Sequence, residues 1–115
     1  MQEINISVFN TVGNRFCVES DDGQNVYNLI QKALQEGKKV KLSFQNIEML
    51  TSAFLNTAIG QLYRDFSEDK IKNSLTVEYL SPEDKVLFKR VTTTAKLYYK
   101  DPERMQNSIK EILGE

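Results

Sequence analysis

Apolar and polar residues alternate in three short stretches of the chain. Ile4, Ile6 and Val8 alternate with Glu3, Asn5 and Ser7. Val40, Leu42 and Phe44 flank Lys41 and Ser43. Leu75, Val77 and Tyr79 flank Thr76 and Glu78. A period of two is that of a strand buried on one face. Phe16 and Val18 alternate around Cys17 after a turn at 10–14, which predicts a second short strand closing a hairpin on the first. Elsewhere the period is helical. Val26, Leu29, Ile30, Ala33 and Leu34 form one stripe. Phe54, Leu55, Ala58, Ile59, Leu62 and Phe66 form another, and Leu87, Phe88, Val91, Ala95 and Tyr98 a third. Met105, Ile109, Ile112 and Leu113 predict an inward-facing final helix at 103–113.

Boundary signals agree with these periods. Asp21 or Asp22 is placed to cap the helix carrying Val26, and Gly37 to stop it in the left-handed conformation. Ser52 is placed to cap the helix carrying Phe54, and Ser67 a short turn at 68–72. Ser81-Pro82-Glu83-Asp84 joins a capping serine to a proline at the first helical position and acids in the first turn. Asp101-Pro102 ends that helix. Gly60 lies inside the central helix, where it costs about 1 kcal/mol relative to alanine. A close neighbour there, another helix or a partner, would account for it.

Each strand shows one apolar face. Helices on both sides of a sheet would demand continuous apolar runs instead. The expected fold is therefore an α/β, α+β-like layer: a four-stranded mixed sheet with helices mainly on one face. Residues 1–115 are expected to form a single domain, with right-handed crossovers between Leu42 and Val77. The segment 40–63, strand then turn then helix, is its centre. The turn should lie at a strand's carboxyl end, where open sheets gather ligand and partner sites.

Composition narrows the chemistry. The chain has 115 residues, a net charge of −1 and no histidine. The commonest general base and metal ligand is thus missing, and with it the Ser-His and Cys-His nucleophile pairs and the usual zinc sites. There is no phosphate-binding glycine loop. The chain is expected to be non-catalytic, without metal or cofactor. Asp21 and Asp22 read as first-turn acids rather than as a cation site. Cys17, the one cysteine, has no disulfide partner in the chain and reads as an inert structural thiol. Near-neutral charge argues against nucleic acid, although Tyr98, Tyr99, Lys96 and Lys100 mix aromatic and basic groups. No stretch spans a membrane and the first residues carry no secretory pattern, so a cytoplasmic chain is expected.

The candidate site is the turn 45–52 with the exposed side of the following helix. Asn46, Glu48, Thr51, Ser52, Asn56, Gln61 and Arg64 supply polar groups there. The helix start adds free amides and a partial positive charge. Ser52 reads first as a cap and second as a phosphoacceptor. Glu48 and Asp65 stand about 20 Å apart at helical rise, too far to act on one bond as an acid-base pair.

Two segments, KVKLSFQNIEMLTSAFLNTAIGQLY and SLTVEYLSPEDKVLFKRV, carry a resemblance to STAS domains. SAFLNTAIGQLY is closest to the STAS-like family DUF4325, and the resemblance spans about 4–99. It implies a binding module of the kind seen in bacterial anti-sigma factor antagonists. Those dock a histidine-kinase-like ATPase of the GHKL type and are switched by phosphorylation at the start of the central helix. Their Asp-Ser-Ser-Gly motif is replaced here by Thr51-Ser52-Ala53-Phe54, so alanine stands at the usual acceptor position. The expectation is a regulatory protein-binding module working with such an ATPase. The alternatives are a structural or oligomerising subunit of a larger bacterial or phage complex, a second copy of the chain being one candidate partner, and an enzyme of unrecognised type.

Overall fold

The computed structural model describes residues 2–100. The expected helix at 103–113 lies outside them. Strand β1 (Glu3–Ser7) runs straight into a short helix α1 (Val8–Val12). Ser7 ends the strand by capping: its Oγ accepts the Asn10 amide at 3.1 Å. Val8 therefore opens a helix, fully buried, instead of extending the strand. Gly13, at φ +77°, closes α1 by donating to the Phe9 carbonyl. Strand β2 (Phe16–Cys17) follows, then helix α2 (Ser20–Gln35).

Glu19 occupies the N-cap of α2 without a side-chain capping bond, while Asp21 and Asp22 sit within the first turn. The aspartates thus meet the helix dipole and do not cap it. At the other end, Lys38 donates to the Ala33 carbonyl and Gly37 to that of Leu34. This is a Schellman closure around Gly37 at φ +76°. Leu29, expected in the apolar stripe, is 44% exposed, and Tyr27 is buried in its place.

Strand β3 (Lys39–Ser43) is the middle of the main sheet. It pairs in parallel with β1 on one side and with β5 (Leu75–Glu78) on the other. A separate ladder joins β2 to β4 (Met49–Leu50), also parallel. The expected four-stranded mixed sheet is thus a three-stranded parallel sheet beside a two-stranded parallel ladder. The expected hairpin is absent from the described residues. A hairpin needs a tight antiparallel reversal, whereas α1 fills the connection after β1 and β2 takes β4 as its parallel neighbour.

Strand order β1-β3-β5 moves across the sheet in one direction. Right-handed crossovers that always step the same way deliver their helices to the same face. The side chains agree. Ile6, Val40 and Leu42 are buried with Ile4, Leu75 and Val77 packed beside them, whereas Lys41 lies on the other face between Glu3 at 3.7 Å and Glu78 at 3.8 Å.

The central helix occupies 52–65. It begins as α3 (Ser52–Leu55), widens into a π-turn (Asn56–Gly60) and ends as α4 (Leu62–Asp65). Phe54, Leu55, Ala58, Ile59 and Leu62 are all essentially buried, as their spacing predicts. Phe66 leaves the helix in extended conformation and is only half-buried. Gly60 is buried against helix α6 (Pro82–Lys100), the neighbour that its position called for: a Cβ there would meet the Ala95 Cβ at 3.7 Å. Helix α5 (Glu68–Ser74) starts at Ser67 and α6 follows Ser81, each serine Oγ accepting an amide at 3.1 Å.

Candidate functional site

The turn after β3 is shaped by Asn46, exposed and at φ +68°, a conformation that asparagine tolerates better than most residues. The chain then enters β4. The Glu48 and Met49 amides donate to the Arg15 carbonyl and the Thr51 amide to that of Cys17, fastening the turn to β2. Glu48 faces Arg15 in an exposed ion pair of 3.7 Å.

The cap of the central helix is Thr51, not Ser52. Thr51 Oγ1 accepts the Phe54 amide at 3.2 Å and donates to the Val18 carbonyl at 2.9 Å. One hydroxyl thereby satisfies a helix-start amide and a strand-end carbonyl, which Ser52 is not placed to do. Both are capping types, and the register of β4, set by its bonds to β2, decides between them. Ser52 becomes the first helical residue, exposed, with its hydroxyl outside the cap. Ala53 and Asn56 are exposed beside it.

Farther along the helix the expected donors are engaged within the molecule. Gln61 Nε2 donates to Gln24 Oε1 at 3.0 Å and to the Thr57 carbonyl at 2.9 Å. Arg64 pairs with Asp65 and donates to the Tyr27 hydroxyl at 3.2 Å, and the Tyr27 hydroxyl itself donates to Asp65 Oδ2. These two residues tie the central helix to α2. The structure therefore gathers Glu48, Thr51, Ser52 and Asn56 at one end, near Asn46, and gives Gln61 and Arg64 interhelical work.

Three exposed apolar residues adjoin this end and were missed in the sequence: Phe16, Val18 and Met49. Phe16 stands opposite Met49 in the ladder. The alternation around Cys17 is real, but its inward member is Cys17, fully buried, with Phe16 and Val18 outward. The signal was present and its phase was misread. Burial, with a smaller contribution from the nearby Asp22 carboxylate, pushes the Cys17 thiol from 9.0 up to about 11. It stays protonated at neutral pH, as an inert thiol does.

A cleft of about 460 Å³ lies toward the other end of the helix, among Tyr63, Phe66, Lys96 and Leu97. Glu68 and Lys96, both in its lining, form a 3.1 Å ion pair, and burial raises the Tyr63 phenol above its ordinary range. It holds none of the turn residues. Among the described residues no three histidine, cysteine or acidic side chains are grouped to hold a metal, and no helix is long and apolar enough to cross a membrane.

A mixed α/β layer built on a small parallel sheet fits a STAS-like domain. The chain belongs to the family of STAS-like domains of unknown function, DUF4325, whose profile matches residues 22–85, from the first turn of α2 into the first turn of α6. No curated protein and no solved structure matches it.

Proposed function

We propose that the chain is a non-catalytic, cytoplasmic regulatory module that binds a protein through the turn 45–52 and the start of the central helix. Its proposed partner is a histidine-kinase-like ATPase of the GHKL type. The observation that carries this reading is the division of labour between Thr51 and Ser52. Because Thr51 caps the helix, the Ser52 hydroxyl is exposed at the helix N-terminus and free for a partner or a phosphoryl group. A phosphoryl group there would favour the helix, since its charge meets the positive end of the dipole. Regulation would then act by repelling the partner and not by unfolding the module. The resemblance to anti-sigma factor antagonists points to the same location, with Ser52 one residue before the alanine at their usual acceptor position.

The test pairs the chain with a GHKL-type ATPase from the same cell. Binding is measured for wild type, Ser52→Asp, Asn56→Arg and the remote control Lys72→Glu. The first two should bind at least about tenfold more weakly, a loss of about 1.4 kcal/mol, and the control should not. Incubation of the pair with labelled ATP should mark Ser52, with the label absent from Ser52→Ala. Equal affinity of all folded variants would place the interface elsewhere.

A further inference from the structure

The short β2–β4 ladder presents its apolar side chains to solvent. Phe16, Val18 and Met49 are 43%, 39% and 50% exposed. Phe16 and Met49 are register partners, and exposed Val18 follows the buried Cys17 just past the end of β2. The patch continues into the region around Ser52, because Thr51 is bonded to the Val18 carbonyl.

Its surroundings are acidic. Glu19 follows Val18 directly, and its carboxylate takes no part in capping α2. Asp21, two residues further on, is exposed as well. Glu19 and Asp21 form no ion pair among the described residues. The nearby cation, Arg15, is already paired with Glu48 and lies over the Phe16 ring, 5.7 Å from its centroid. The patch thus has an apolar centre and an uncompensated negative rim.

We propose that this face receives a basic amphipathic segment of a different protein, with its apolar side chains against Phe16, Val18 and Met49 and its lysines or arginines toward Glu19 and Asp21. This rests on the protein-binding reading above and names the chemistry of the partner. Charge complementarity selects the occupant. A second copy docking the same face about a two-fold axis would bring the same carboxylates against one another.

A photo-crosslinking residue, benzoylphenylalanine, is placed at position 16 or at position 56 of the full chain, and irradiation is done in an extract of the native cell. Adducts are mapped by mass spectrometry. Position 16 should capture a segment containing lysine or arginine, from a protein other than the chain itself. Adduct yield should fall roughly tenfold in the double variant Glu19→Lys, Asp21→Lys. It should also fall for the wild-type rim when ionic strength is raised from about 0.05 to about 0.5 M; this second measurement decides if the double variant does not fold. Capture of a second copy, capture of a segment without basic residues, or a yield insensitive to salt overturns the proposal. Adducts at position 56 alone would remove it and leave the protein-binding reading standing; adducts at neither position would remove both.

Discussion

A Cβ atom on Gly23 would lie 2.6 Å from the carbonyl oxygen of Phe54. Helix α2 and the central helix meet backbone to backbone at this point, and the same Cβ would stand 3.1 Å from that of Thr57. The obstacle is main chain, which cannot swing aside as a flexible side chain would. Gly23→Ala should therefore destabilise the fold by about 1–3 kcal/mol, as overpacking does, even though alanine is intrinsically the better helix former by about 1 kcal/mol. Thermal unfolding checks it: a midpoint equal to or above wild type would show that the two helices do not approach so closely.

The capping assignment separates two adjacent residues. Thr51→Ala should cost about 0.5–2 kcal/mol in urea unfolding, because both the Phe54 amide and the Val18 carbonyl lose their bonds to it. Ser52→Ala should stay within about 0.5 kcal/mol, as a surface change does. The opposite order would return the cap to Ser52.

Cys17 makes stability fall in alkali. Its thiol titrates at about 11 in the folded chain, against 9.0 ordinarily. Between these values the unfolded chain has released a proton that the folded chain keeps, so the stability present below pH 9 declines as pH rises toward 11. Cys17→Ala should lack this component of the decline. The check is the difference between the two urea midpoints across that range. A difference that does not change with pH would mean that the thiol is not held in its neutral form. At neutral pH, alkylation of wild type should proceed only as fast as the chain opens.

The strands at Ile4, Leu42 and Val77 and all three long helices were legible, because each buries one face and so prints its period on the sequence. Pairing was not. Strand β2 has two residues, too few for a period to tell which face is inside, and Cys17 is hydrophobic enough to invert the reading. The cap was misplaced by one residue for a related reason: Thr51 and Ser52 are chemically equivalent, and only the tertiary bond from Thr51 to Val18 distinguishes them. Gly23 lies inside α2 against the Phe54 carbonyl, and a glycine demanded by a neighbouring backbone looks the same in sequence as a glycine demanded by a turn.

The steady march of strands β1, β3, β5 also bears on how fast and from where the chain folds. Both ladders of the sheet close loops of nearly equal size, about 35 residues, and both close on β3. Neither flank has an entropic head start, so productive collapse has to assemble around Val40 and Leu42, whichever flank arrives first. Leu42→Ala should then cost about 2–5 kcal/mol and slow refolding. A truncation at the rim, Ile6→Val, should chiefly hasten unfolding. Stopped-flow chevrons of the two variants would show it; a Leu42→Ala effect carried wholly by the unfolding limb would place the nucleus elsewhere. A sheet built in this order is held kinetically at its middle strand, and its edges can change sequence with little effect on how the molecule finds its fold.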